Sequence, residues 1–104
     1  MIQDEIRTLL EAPPTGRDAP SLHDIEQTLT AGYARALSLE AERWRLERRI
    51  AEVALALGMD SNPKQTSELA QLGARLSNAD GSLAQLRGLL TSLRMRADEV
   101  RAAV

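Results

Sequence analysis

The sequence contains no cysteine and no phenylalanine, and its 104 residues include one tryptophan, one tyrosine and one histidine. Without cysteine, the chain can form neither a disulfide framework nor a thiolate metal site. Because His23 is the only histidine, one chain cannot build a histidine metal cluster or a Ser-His-Asp arrangement. Aromatic and β-branched residues, on which β-rich and mixed cores depend, are scarce. These absences argue against all-β and α/β folds.

Charge and hydropathy exclude further classes of protein. The net charge of −2 lacks the basic excess that is typical of nucleic-acid binders. No apolar run approaches the roughly 18 residues that a membrane-spanning helix requires. The first residues also lack the basic and then apolar pattern of a signal peptide. We therefore expect a cytoplasmic protein with no membrane segment.

Alanine, leucine, glutamate and arginine dominate the composition, as in proteins built from long helices. Segments rich in proline and glycine interrupt this pattern at residues 12–20 and 58–63. We therefore predict an all-α fold with two parts. Residues 1–20 form a short N-terminal helix with its linker, and residues 21–104 form a long helical hairpin.

Capping residues predict where the first two helices begin and end. The first helix is predicted from Ile2 to about Glu11, with its apolar residues on one side. The second is predicted over about residues 22–57. Its start is marked by Ser21 as N-cap, and Gly58 can end it in a left-handed conformation.

The third helix is predicted over about residues 63–103. Asn62 can cap its start, and Pro63 suits the first helical position because proline lacks an N–H group. The predicted turn, residues 58–62, is short, so the two long helices should fold back antiparallel. At 1.5 Å per residue, each of them would span roughly 50–60 Å.

Apolar residues recur roughly every 3.5 residues along both long helices, which is the spacing of a left-handed coiled coil. We call this set the seam. Only Gly32 and Arg43 depart from its apolar character. The seam consists of Ile25, Leu29, Gly32, Ala36, Leu39, Arg43, Leu46, Ile50, Val53 and Leu57 in the second helix, and of Leu69, Leu72, Leu76, Ala79, Leu83, Leu86, Leu90, Leu93, Ala97, Val100 and Val104 in the third.

The two halves of the seam mesh best where paired residue numbers sum to 122, so that Gly32 meets Leu90. In this register Arg43 faces Ala79, with Asp80 beside it. Two interpretations follow for Arg43. It either forms an ion pair with Asp80 across the seam, or lays its aliphatic stem over Ala79 and keeps its guanidinium in water.

Residues 78–82 read locally as a turn, since Gly81 in a helix interior costs roughly 1 kcal/mol relative to alanine. However, Leu76, Ala79 and Leu83 remain in step with the seam across this segment. A break in the helix would remove the reason for that phase to continue. We therefore predict a third helix that is continuous through Gly81.

Each long helix also carries a second face away from the seam. The second helix presents large apolar residues there, whereas the third presents a track of small residues, and this combination suits close approach of helices from two chains. The leading hypothesis is a homodimeric four-helix bundle. In the alternative, a three-helix monomer, the first helix covers the large residues. The predicted interface residues are Tyr33, Leu37, Trp44, Ala70, Ala84 and Gly88.

Four arginines at positions 43, 45, 48 and 49 surround Trp44. Arginines and an aromatic ring can grip phosphates and stack a base, although the acidic residues between them largely cancel the field. Weak binding to nucleic acid or to an anionic surface is therefore the alternative function. No catalytic, cofactor or metal site is predicted, and His23 is expected to be exposed in the first turn of its helix.

The leading function is non-enzymatic: a small coiled-coil protein that acts as a protein interaction, scaffold or chaperone-like module. The expected partners are a second copy of the chain and an unidentified protein. Nucleic acid is disfavoured as a partner because the arginines are interleaved with acids.

Overall fold

The computed structural model describes residues 1–60 and 62–103. This part of the chain contains three helices and no strand: α1 (Ile2–Glu11), α2 (Leu22–Met59) and α3 (Pro63–Ala103). The predicted all-α class is therefore confirmed. Among the described residues, none of the helices combines the length and apolar character needed to cross a bilayer.

The predicted N-caps of both long helices are present. The Ser21 Oγ accepts a hydrogen bond from the Asp24 backbone N–H at 3.1 Å. At the start of α3, the Asn62 Oδ1 accepts one from the Lys64 N–H at 2.9 Å. Each cap satisfies one of the N–H groups that have no partner within the first turn.

The predicted end of α2 at residue 57 is wrong by two residues. Gly58 is helical, and the glycine with a positive φ in the described chain is Gly16 in the linker, at 94°. The Asp60 N–H donates to the Ala56 carbonyl oxygen at 3.0 Å, which carries the helical bonding pattern past Gly58. Ser61, in the predicted turn, lies outside the described residues.

The predicted continuity of α3 through Gly81 is confirmed, because the helix is unbroken from Pro63 to Ala103. Ala79 and Leu83, on either side of the glycine, are both buried. Burial of these neighbours outweighs the roughly 1 kcal/mol cost of an interior glycine.

The chain forms two compact units. Unit 1 contains Met1–Leu37 together with α3 from Ala84 onward, and unit 2 contains Ser38–Leu83. Unit 1 therefore packs three helical segments, whereas unit 2 packs two. Each unit has its own set of buried aliphatic side chains.

The core of unit 1 combines one residue of α1 with the seam residues of α2 and α3. Ile6 is fully buried, and it is the single residue of α1 in this set. The other apolar residues of α1 are half-buried. The buried residues are Ile6, Ile25, Leu29, Ala36, Leu86, Leu90, Leu93 and Ala97.

Gly32 forms the floor on which α1 packs. A Cβ atom built at this glycine would overlap the Leu90 Cδ2 and lie 3.5 Å from the Ile6 Cδ1. Only a residue without a side chain lets α2 approach both neighbours this closely. The predicted contact between Gly32 and Leu90 is therefore present, and it explains why a glycine occupies a seam position.

The C-terminal end of α1 is held by Arg96 of α3. Its Nη2 donates to the Leu10 carbonyl oxygen at 3.2 Å, and its Nη1 donates to the Ala12 carbonyl oxygen at 3.4 Å. These carbonyl groups lie at the end of α1, where a cation interacts favourably with the helix dipole. The Arg96 side chain is only 19% exposed, so the contact is sheltered from water.

The core of unit 2 consists of seam residues alone. The remaining seam residues of unit 2, such as Ile50 and Leu76, are half-buried and pack against the buried core residues. All described seam residues in both units are thus buried or half-buried. Val104, the last seam residue, lies outside the described residues. The buried set of unit 2 is Leu39, Leu46, Val53, Leu72, Ala79 and Leu83.

Replacing Gly32 with alanine is expected to lower the free energy of unfolding by about 1 kcal/mol. Overpacking against Leu90 and Ile6 costs about 1–3 kcal/mol, and the gain in helix propensity returns only about 1 kcal/mol. Urea denaturation followed by circular dichroism measures the change. Gly58→Ala is the matched control, since nothing lies within 4 Å of its Cβ position. Equal or higher stability of the Gly32 variant would show that Leu90 is not confined.

Replacing Arg96 with alanine is expected to loosen α1 while leaving α2 and α3 folded. Hydrogen bonds from a charged donor contribute about 1.5–3 kcal/mol, so amide hydrogen exchange in α1 should become about tenfold faster or more. Mass spectrometry of the exchanging chain gives the measurement. Arg94→Ala, at an exposed position on the same helix, should leave the exchange of α1 unchanged. Unaltered exchange in the Arg96 variant contradicts the role assigned to this side chain.

Candidate interaction surface

Large apolar side chains of α2 stand exposed outside the seam. Tyr33 and Leu37 in unit 1 are 43% and 67% exposed, and Trp44 and Leu55 in unit 2 are 59% and 72% exposed. Within unit 1, α1 therefore leaves Tyr33 and Leu37 uncovered, contrary to the alternative in which it packs over them. Ile6 is instead drawn to the space above Gly32, where it becomes fully buried.

Trp44 is held by a neighbour on its own helix. The Arg48 guanidinium carbon lies 5.4 Å from the centroid of the Trp44 ring, in the geometry of a cation–π contact. Arg48 Nε also lies 3.8 Å from the Glu52 Oε1. The contact with Arg48 restrains the indole on the surface of α2.

The predicted small-residue track of α3 is exposed in both units. Ala70 in unit 2, and Ala84 and Gly88 in unit 1, have exposed surfaces. Nothing lies within 4 Å of the Cβ positions of Gly73, Gly81 and Gly88. The six predicted interface residues thus present open surface in the single chain.

Arg43 lies 3.4 Å from Asp80, measured from its Nη1 to the carboxylate Oδ1. Its Nε lies 3.8 Å from the Glu47 Oε1. The side chain is 39% exposed, so the guanidinium remains in contact with water while the stem lies at the seam. The geometry combines features of both interpretations: a cross-seam contact made at the solvent boundary.

Carboxylates neutralise much of the arginine cluster around Trp44. Arg49 lies 2.8 Å from Glu68 and 3.4 Å from Glu52. Its hydrogen bonds with Glu68 raise the pKa of the Arg49 guanidinium above its ordinary value. With Arg43 and Arg48 also beside carboxylates, three of the four arginines share their charge with acidic neighbours. The concentrated positive field that phosphate binding requires is reduced accordingly.

A groove of unit 2 brings Arg75 of α3 beside two members of the predicted arginine cluster, Arg45 and Arg49. Arg45, Arg49 and Arg75 line one open groove, with Glu42 as the acidic residue of the set. Leu46 and Leu72, both seam residues, form its apolar floor. The signal in the sequence was positional: Arg49 and Arg75 each follow a seam leucine by three residues, and Arg45 precedes one. We call this feature the arginine groove.

Side chains suited to metal or acid–base chemistry are dispersed. His23 is exposed in the first turn of α2, as predicted. Within residues 1–60 and 62–103, no group of three or more histidine or carboxylate side chains is placed to hold a metal ion.

No protein-family model matches the chain, and comparison with curated proteins and with solved structures gives no significant match. Function is therefore inferred from the exposed surfaces, their charges and the helices that carry them.

Replacing Arg43 with leucine is expected to raise the free energy of unfolding by about 1 kcal/mol. A partly exposed ion pair contributes at most about 1 kcal/mol, whereas a buried leucine contributes about 1.5–3 kcal/mol. Urea denaturation measures the change, with Asp80→Asn as the control that removes only the ion pair. A loss of stability in the leucine variant would instead show that Arg43 fixes the local packing.

Proposed function

We propose that this protein is a non-enzymatic helical hairpin that works by binding protein surfaces, as a scaffold, adaptor or chaperone-like module. The observation that carries the proposal is the exposure of Trp44 and Leu37, at 59% and 67%, on a helix whose seam is already filled. Burying a large aromatic or aliphatic side chain is worth about 1.5–3 kcal/mol, and such residues anchor protein interfaces.

The hairpin itself is part of this proposal. In unit 2, Arg43 contacts Asp80, and Arg49 contacts Glu68. Residues further along α2 therefore contact residues nearer the start of α3, as in an antiparallel pair. Unit 1 follows the same order. The Arg101 Nη2 lies 2.7 Å from the Glu26 Oε1, and Gly32 lies against Leu90. These contacts support an antiparallel two-stranded coiled coil in the register where residue numbers sum to 122.

The proposed partner is a second copy of the chain, giving a homodimeric four-helix bundle. The chain carries both halves of a self-complementary contact, because large residues on α2 match small ones on α3. Three glycines on α3, Gly73, Gly81 and Gly88, have open space above them. Each costs roughly 1 kcal/mol of helix stability relative to alanine. Close approach of a partner helix would offset that cost.

Trp44→Ala is expected to weaken self-association by about tenfold to a hundredfold, since interface tryptophans commonly contribute 2 kcal/mol or more. Sedimentation equilibrium over micromolar to millimolar concentrations measures the dissociation constant. Met59→Ala is the matched control, because Met59 is also exposed but lies at the end of α2.

Gly88→Ala provides an independent check of the same interface. It should stabilise the single chain, because space above Gly88 is open, and it should weaken the dimer by keeping the helices apart. A wild-type chain that stays monomeric throughout the concentration range rules out the four-helix bundle.

A further inference from the structure

We propose that the arginine groove of unit 2 is a docking site for an acidic amphipathic helix of a partner protein. The inference deepens the proposed interaction role and rests on it, but it concerns a surface other than the Trp44 face. Unit 1 already holds a helix of this kind, α1.

In unit 1, α1 lies along one flank of the seam. Its residues Asp4, Glu5, Thr8 and Leu9 line a shallow groove together with α2 residues that include Asp24. Arg96, on the α3 side, binds the carbonyl groups at the C-terminal end of α1. An amphipathic helix thus docks beside the seam through an aliphatic stripe and an arginine that holds its end.

The arginine groove occupies the equivalent flank of its own seam. A shift of 21 residues, three heptads, relates Asp24 to Arg45 and Thr28 to Arg49 on α2. On α3, the same shift relates Arg75 to Arg96. The floors correspond too, since Leu46 and Leu72 lie 21 residues from Ile25 and Leu93 respectively. Whole-heptad shifts preserve helix face, so these residues lie on the same flank of the seam in both units. Unit 2 shares with unit 1 the arginine on α3 and the aliphatic floor, but Val53 stands where unit 1 has Gly32.

The seam beside the groove is less covered in unit 2 than in unit 1. Leu46 and Leu72 are themselves buried, as are their counterparts Ile25 and Leu93. The difference between the units lies in the neighbouring seam residues. Ile50 and Leu76 are only half-buried, because unit 2 packs two helical segments and has no third helix over them. A third helix is the element that unit 1 has and unit 2 lacks.

Charge identifies the kind of helix that fits. Arg49 is already oriented by Glu68 and Glu52, while Arg45 and Arg75 lie within ion-pair distance of no carboxylate in the described part of the chain. Glu42 is the acidic side chain on the rim. A docked helix with carboxylates beside its aliphatic stripe would pair with Arg45.

By analogy with Arg96, Arg75 is placed to bind the carbonyl groups at the end of the docked helix. The partner is a different chain rather than α1, because Ile6 and Arg96 already hold α1 in unit 1.

The test uses a helical probe with the required chemistry. A peptide carrying residues 1–12 of this chain, stapled between positions 3 and 7, keeps the carboxylates of Asp4, Glu5 and Glu11 and the aliphatic stripe. It is titrated into the isotope-labelled full chain, and amide chemical shifts locate the binding site. We expect saturable shifts around residues 45–49 and 72–75 that weaken as the salt concentration rises.

Arg45→Glu combined with Arg75→Glu should weaken binding by about tenfold or more, and Arg45→Gln with Arg75→Gln should weaken it less. Arg35→Glu with Arg94→Glu makes the same change in net charge at exposed positions elsewhere and should have little effect. A peptide with the three carboxylates changed to amides is the matched probe. Circular dichroism of each variant confirms that the helices are retained.

Three outcomes overturn the proposal: no saturable binding, binding that is unaffected by the Arg45 and Arg75 variants, or shifts confined to Gly32 and Leu90. The last outcome would mean that the peptide merely exchanges with α1. None of these results depends on whether the wild-type chain dimerises, because no residue that lines the arginine groove belongs to the proposed dimer interface. Failure of the Trp44 interface, measured by sedimentation, is thus a separate result.

Discussion

Burial of the apolar seam is the constraint on which the other features of this protein depend. Aliphatic residues at about 3.5-residue intervals give each long helix one apolar strip, which is stable only when it is buried. Each leucine buried there contributes about 1.5–3 kcal/mol to the free energy of unfolding. That gain holds α3 helical through Gly81 and keeps Arg43 at the edge of the packing, where its charge stays hydrated. Residues outside the strip are free to serve other purposes.

The two units use the same strip differently. Unit 1 adds α1, and the absence of a side chain at Gly32 creates the space that Ile6 fills. Arg96 then secures the carbonyl end of that short helix. A helix of ten residues is marginal on its own, so its order depends on this docking. Unit 2 has no such helix, and its arginines face an open groove.

The buried residues could be predicted from sequence because helical periodicity places them on one face wherever the helices lie in space. The docking position of α1 could not be predicted from sequence, since it depends on the space that Gly32 leaves between α2 and its neighbours. A glycine in a sequence shows only that a side chain is missing. Ion pairing could be predicted only in part, because the register placed Asp80 beside Arg43 but gave no sign of a contact between Arg49 and Glu68. The contact between Arg49 and Glu68 depends on the offset between two helices and on the choice among flexible side-chain conformations.

The residues that distinguish the units lie at fixed offsets from the seam, not in it. Asp24 and Arg45 occupy equivalent positions with opposite charge, while the seam residues that follow them, Ile25 and Leu46, are both buried. Substitution beside the seam changes surface charge with little effect on packing, whereas substitution within it creates a cavity or an overlap. Helices that pack through an unchanged apolar strip can therefore change the charge of their flanks while keeping their packing.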